Sequence, residues 1–329
     1  MRRTILIAAS AALVLMWVVP APASAGDTQA TDGTPSMEVQ TDAGVEYLVG
    51  ADGTVYVLDV YRPTEVGPWP VVVMLHGAGG RGPHWDEWIQ AVAAQGAVVF
   101  VPTWANNMPW VSVEAARADF QGITGQLACS VAFARAKAGA YGGDTSNLTI
   151  FGHSAGANYA SVIAFGKPKV LTGCVAKSGS VVPENLVFFE GDFLLFGASI
   201  WTPLLQADPG VMDDQTPWPY LHVAAPFPTR IMVSETGAKT LKEPLKGDPW
   251  AEDSWLALRD PTGELRLELQ ELGAFEDGWL DVGETHALLQ HHLEALGSEA
   301  SLDVFPRSNH ANLSEEGLQL LVDAILQRT

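Results

Sequence analysis

The stretch Ile150-Phe151-Gly152-His153-Ser154-Ala155-Gly156 holds Gly-x-Ser-x-Gly between a predicted strand and a predicted helix. A sharp strand-to-helix turn pushes the side chain of the middle residue out above a sheet, and glycines two positions to either side give the backbone room for it. Ser154 is thereby a candidate nucleophile rather than a serine that only caps a helix. The N–H of Ala155, in the first helical turn, then faces the oxyanion that forms when a serine attacks a carbonyl, with the helix dipole behind it. His76-Gly77-Ala78-Gly79-Gly80 follows an apolar strand ending at Leu75 and can aim a second backbone N–H at the same oxyanion, from Ala78 or Gly79. This loop has neither Gly-x-Gly-x-x-Gly nor the Lys-Ser/Thr of a phosphate cradle, so acyl chemistry is the better reading.

These residues need a sheet to hold them. Residues 45–49 and 55–61 read as strands joined at Asp52-Gly53, a hairpin signal. Residues 70–75 and 97–101 are unbroken apolar runs, as parallel strands covered on both faces require. Helices are predicted over 85–95, 113–138, 154–165, 282–296 and 313–327, and further strands over 147–151, 170–176, 229–235 and 301–305. Strand and helix alternate, which predicts an α/β fold with a mostly parallel sheet and right-handed crossovers. The regularity breaks twice. Residues 181–228 read as a cap insertion over the sheet edge. A second insertion at 236–280 contains a hairpin about Asp260-Pro261-Thr262-Gly263, between alternating stretches with Trp255, Ala257, Leu265, Leu267 and Leu269. Residues 41–329 form a single domain on this reading, with no internal repeat.

The motifs at 76–80 and 152–156, with Tyr141-Gly142-Gly143-Asp144 before the nucleophile strand, resemble the α/β-hydrolase superfamily, most closely its carboxylesterase and lipase-like branch. The resemblance covers nearly all of residues 45–329. It implies an eight-stranded, mostly parallel sheet flanked by helices and a triad in the chain order Ser, acid, His. Ala78 departs from the glycine that many esterases carry in this loop, and the region expected to hold the acid is expanded. For the base, His310 fits, in the loop between the strand at 301–305 and the terminal helix. His76 and His153 belong to the two loops already described and shape backbone there, while His286, His291 and His292 ride on a helix. The resemblance puts the acid after the seventh strand and before the helix preceding the last strand. Asp277, in the turn-like Glu276-Asp277-Gly278-Trp279, is the first choice, and Asp281 and Glu235 are the alternatives.

The 329 residues carry 18 Lys and Arg against 38 Asp and Glu, a formal charge of −20, so there is little material for a basic nucleic-acid face. Residues 1–25 read as a secretory signal peptide: Arg2 and Arg3, an apolar stretch over 5–19, then Ala23-Ser24-Ala25 as a cleavage site. Residues 26–40 read as a flexible N-terminal tail. A permanent anchor needs about 20 apolar residues, and this run is shorter and closed by Pro20 and Pro22. The mature chain is expected to be exported and to carry no membrane anchor. Cys129 and Cys174, the only cysteines, make a disulfide the natural expectation in that compartment, with two buried thiols as the alternative. Such a bridge closes a loop of about 45 residues, worth about 3–4 kcal/mol by chain entropy. Two cysteines are too few for a zinc site, and His-Glu-x-x-His is missing, so neither metal nor cofactor is expected.

The chemistry that follows is hydrolysis of a small-molecule or polymer-borne ester through an acyl-enzyme on Ser154. A serine peptidase or other acyl-hydrolase using the same triad is the runner-up, and a non-catalytic binding protein on a hydrolase scaffold is the reading from outside enzymology. Trp85, Trp88, Trp104 and Trp110 flank the loops about the site; they either offer aromatic faces to substrate or fill core.

Overall fold

Alternate residues of one strand must face opposite sides of a sheet, and the apolar runs of this chain are long enough to be buried on both. The structure, a computed structural model, describes residues 36–78, 80–105, 112–168, 170–171, 173–174, 180–191, 216–235, 260, 262–273 and 282–328. The predicted signal peptide and most of the predicted tail lie outside them. The tail is shorter than expected: the N–H of Met37 bonds to the carbonyl of Ala94 at 2.8 Å, and the first strand opens at Val39.

Eight strands form one sheet: β1 (Val39–Val49), β2 (Val55–Pro63), β3 (Trp69–Leu75), β4 (Val98–Pro102), β5 (Gly143–His153), β6 (Asn185–Phe189), β7 (Thr229–Ser234) and β8 (Ala300–Phe305), in the order β1-β2-β4-β3-β5-β6-β7-β8. β1 and β2 run antiparallel to their neighbours, and β4, β3, β5, β6, β7 and β8 run parallel to one another. Among the described residues the α-helices are α1 (Pro83–Ala94), α2 (Val113–Lys137), α3 (Ala155–Gly166), α4 (Glu264–Glu271), α5 (Val282–Ala295) and α6 (Glu315–Leu326).

Strand periodicity sorts the core into two layers. Val71, Val73, Leu75, Ile150, Leu186 and Phe188 point to one face and pack with Leu127, Ala157, Leu289 and Leu293 of α2, α3 and α5. Val72, Met74, Phe151, Val187 and Phe189 point to the other and pack with Trp85, Trp88 and Ile325 of α1 and α6. This is the doubly covered sheet that the unbroken apolar runs demand. Cys129 of α2 is bonded to Cys174, with Cα atoms 5.7 Å apart. Among the described residues no helix is long and apolar enough to cross a membrane.

Three expectations change. The sixth strand is Asn185–Phe189, inside the segment read as a cap, and not 170–176, of which the described part is not strand. Residues 185–189 of the segment read as a cap insertion thus belong to the sheet, and residues 192–215 of it lie outside the described ones. Nor is there a hairpin at Asp260: the residues after it form α4, because the Asp260 carboxylate accepts the N–H groups of Leu265 (3.1 Å) and Arg266 (3.0 Å) and so starts a helix. Trp255 and Ala257 lie outside the described residues.

The entry to β6 is held firmly. Arg135 of α2 donates to the carbonyls of Ser180 (3.1 Å), Val182 (2.7 Å) and Thr145 (3.2 Å) and pairs with both oxygens of Glu184 at 3.0 Å. Glu184 in turn accepts the N–H of Leu148 at 3.2 Å, which ties the start of β6 to β5.

Candidate active site

Parallel strands bring their carboxyl ends to one edge of the sheet, and His153 of β5, Phe189 of β6 and Met232 of β7 lie side by side there. Loops leaving that edge can converge on one point. Ser154 follows β5 with φ 55° and ψ −126°, a conformation that costs a non-glycine residue roughly 1–3 kcal/mol. Its N–H donates to the Phe189 carbonyl at 2.9 Å, and its own carbonyl accepts the N–H of Ala157 at 2.9 Å. The flanking glycines have no room for a side chain. A Cβ on Gly152 would lie 2.4 Å from the Gly156 carbonyl oxygen; one on Gly156 would lie 2.1 Å from that of Leu75 and 2.4 Å from that of His76. The Gly-x-Ser-x-Gly spacing is thus a packing requirement of β3 against the start of α3.

The loop after β3 lies against the serine: a Cβ on Gly77 would sit 3.2 Å from Ser154 Cβ and 3.6 Å from Ser154 Oγ. The Gly77 carbonyl accepts the N–H of Gly80 (3.1 Å) and a bond from His76 Nδ1 (2.8 Å). Because the peptide is planar and trans, this points the N–H of Ala78 the opposite way. His76 is buried and stacked on Trp104, with centroids 4.8 Å apart and planes within 3°. Burial holds His76 below the ordinary imidazole range, and the charge of Arg81 adds to this. Ala155 opens α3 beside Ser154. Gly79 lies outside the described residues.

His310 sits in the loop after β8, and its Nδ1 lies 2.5 Å from Oε2 of Glu190. The Glu190 side chain is wholly buried, and its other oxygen, Oε1, accepts the backbone N–H of Ser234 (2.6 Å) and the Ser234 hydroxyl. Glu190 is the first residue after β6 and holds φ 49°. Ser234 ends β7, which lies between β6 and β8, so it meets the carboxylate as it crosses toward His310. The carboxylate that meets Nδ1 of His310 is thus Glu190, where Asp277 was expected. Glu235, at the end of β7, is exposed, and its Oε2 accepts the N–H of Arg307 at 2.8 Å instead of facing His310. Asp277 and Asp281 lie outside the described residues, and the Nδ1 either was expected to meet is taken by Glu190. The signal for Glu190 was present: Asn185-Leu186-Val187-Phe188-Phe189 is a short apolar run closed by Glu190-Gly191, the same strand-then-turn pattern that locates the other strands. In chain order Glu190 lies between Ser154 and His310.

His153, between the elbow glycine and the serine, is 3% exposed. Its Nε2 lies 2.7 Å from the carbonyl oxygen of His310, so the proton is on Nε2 and donated to that oxygen. Burial, and then the neighbouring His310, His84 and His76, hold it well below the ordinary imidazole range. Trp85 and Trp88 are buried beneath the site and pack on His153, with centroids 5.9 and 5.2 Å away, while Trp104 backs His76. These three therefore fill core. Trp110 lies outside the described residues. Among the described residues no group of three or more His, Cys, Asp or Glu is placed to hold a metal ion.

The model of a family described as BD-FAE matches residues 58–179, which include both the 76–80 loop and the elbow. No curated protein matches the chain. Many solved structures share its fold. Esterase 2 from the Planctomycetes species Thermogutta terrifontis with propionate bound is 15% identical, with 89% of this chain and 94% of that one covered and a TM-score of 0.56. Esterase B from Lactobacillus rhamnosis is 15% identical over 90% of this chain and 89% of that one, at 0.55. Carboxyl esterase 2 from the mycorrhizal fungus Tuber melanosporum is 17% identical over 91% and 87%, at 0.54.

Proposed function

We propose that this chain, which has the α/β-hydrolase fold, is a serine hydrolase of carboxylic esters, with Ser154 as nucleophile, His310 as base and Glu190 as the acid. The observation that carries this is the buried Glu190 carboxylate on Nδ1 of His310, in a loop that is bonded to the residue preceding a strained serine. A carboxylate on Nδ1 keeps that nitrogen protonated and leaves Nε2 free to take the serine proton, and it stabilises the imidazolium that results. As Ser154 Oγ attacks the ester carbonyl, the N–H groups of Ala155 and of the 78–79 loop receive the oxyanion. His310 returns its proton to the departing alkoxide, and water, deprotonated by His310, then releases the acid and frees Ser154. No cofactor enters these steps. That all three compared structures are named esterases supports ester over amide bonds as the target. The Arg2-Arg3 apolar leader and the bonded cysteine pair support export of the mature chain.

The test is hydrolysis of p-nitrophenyl esters of rising acyl length by the mature protein and by Ser154→Ala. Loss of turnover by at least about 10⁴-fold with an unchanged melting temperature is expected. Turnover that survives the substitution overturns the assignment of the nucleophile, and wild-type cleavage of peptide amides but of no ester moves the target to peptides.

A further inference from the structure

Glu190 fixes the His310 ring through Nδ1 alone, and the His310 side chain is one-third exposed on a loop. A base so placed needs a second restraint if its Nε2 is to stay in line with Ser154, because misplacement by about 1 Å can cost a hundredfold in rate. The residue covalently next to the nucleophile supplies one. His153 donates from Nε2 to the main-chain carbonyl of His310 at 2.7 Å, and its ring lies against the His310 ring with centroids 4.5 Å apart at 39°. The His153 ring cannot swing away, since Phe189 (5.0 Å), Trp88 (5.2 Å) and Trp85 (5.9 Å) enclose it. Its other nitrogen, Nδ1, is buried and has no hydrogen-bond partner among the described residues. A phenylalanine would fill this aromatic cage without that desolvation cost, so packing alone does not account for an imidazole here.

We propose that His153 is a positioning residue that fastens the base loop to the nucleophile elbow, its Nε2–H holding the His310 carbonyl while its ring backs the His310 imidazole. The inference rests on the reading of Ser154, His310 and Glu190 given above. His153 takes no part in the bond making and breaking; it sets the distance between the two residues that do. The neutral ring with its proton on Nε2 can make the bond to the His310 carbonyl, and the burial of His153 and its neighbours His310, His84 and His76 favour that neutral form.

The experiment compares wild type with His153→Phe, which keeps a ring and removes the donor, and His153→Gln, whose amide nitrogen can reach the same carbonyl. Readouts are kcat and KM on a p-nitrophenyl ester, the rate of Ser154 labelling by an alkyl fluorophosphonate, and the melting temperature. His153→Phe is expected to lower kcat and the labelling rate together by about 10- to 100-fold, with KM within about twofold and no loss of melting temperature. His153→Gln is expected to recover most of the loss. Should His153→Phe not fold, His153→Met, which also lacks a donor, carries the same expectation. Wild-type rates in the donorless variant, or an equal loss in His153→Gln, overturn the proposal. Labelling needs an activated serine but no ester specificity: a wild type that labels yet cleaves no ester overturns the substrate reading while the labelling ratio still decides the role of His153. A wild type that does not label overturns both.

Discussion

Around Ser154 the chain is held by backbone pressed on backbone, whereas around His310 it is held by side chains bonded to side chains, and the two kinds of restraint mark a sequence differently. At the elbow, Gly152 and Gly156 lie so near the start of α3 and the end of β3 that a Cβ on either would come within 2.4 Å of a carbonyl oxygen. Only glycine fits, so the spacing is written into the sequence. At His310, a carboxylate meets Nδ1, but nothing in the chemistry of that contact dictates which strand end supplies it. Glu190 reaches from β6, past Ser234 of β7, to a loop after β8.

The comparison breaks most decisively at the carboxylate. Glu190→Gln should lower kcat by about 10³- to 10⁴-fold, since the amide no longer holds the base in its working tautomer. Asp277→Asn, Asp281→Asn and Glu235→Gln should each stay within a few-fold of wild type in the same ester assay, and a disabling effect of Asp277→Asn with an active Glu190→Gln would return the acid to the second insertion. Ser234→Ala removes one of the two donors to Oε1 and should cost roughly tenfold, as loss of a hydrogen bond to a charged group does.

On the elbow side the expected effect is on folding. Gly156→Ala should lose about 3 kcal/mol or more of stability in urea unfolding, because backbone oxygens must move to admit the methyl group. Gly77→Ala meets the side chains of Ser154, at 3.2 Å, and His153, at 3.6 Å, and no backbone atom among its three nearest contacts, and should fold with the wild-type midpoint while slowing turnover. A midpoint for Gly156→Ala equal to that of wild type would show that α3 can retreat from β3 and that the spacing is not steric in origin.

The smallest effect is in the pH dependence of stability. His153, His76 and His84 all sit below their ordinary value of 6.5, with burial as the chief cause in each. A histidine whose folded value is depressed binds fewer protons in the native than in the unfolded state. Their contribution is therefore present in full above pH 6.5 and is lost as the pH falls below it. For the fully buried His153 the slope is at most about 1.4 kcal/mol per pH unit. The urea midpoint should fall between pH 7 and pH 5, and less steeply in His153→Phe; equal slopes would mean that His153 does not titrate on unfolding.

Most of the frame was legible because two signals agree wherever they occur: an apolar run of strand length, then a glycine or a capping residue. α2 and α6 begin where Ser112 and Ser314 each accept an N–H three residues on. The failures fall where two periods fit the same residues. Residues 170–176 and 185–189 are both short and apolar, and only the second pairs with β5 and β7. Leu265, Leu267 and Leu269 alternate like a strand, yet lie on α4, where Leu269 is buried and Leu267 is 58% exposed. Losing β6 to a presumed cap hid Glu190 as well, because a carboxylate one residue beyond a strand is invisible until the strand is recognised. The serine, its glycines and His310 needed no such step.

The grip of Arg135 on the residues before β6 bears on how the chain finds its register. β6 has only five residues, all buried, and a slip by one would turn each of them to the opposite face. Glu184 at one end answers Arg135 and Leu148, and Glu190 at the other answers Ser234 and His310. The two carboxylates work as end stops on a ruler. A miscounted strand would leave both of them buried or stranded away from their donors, so the fold that is counted correctly is also the one in which Glu190 reaches Ser234 and His310.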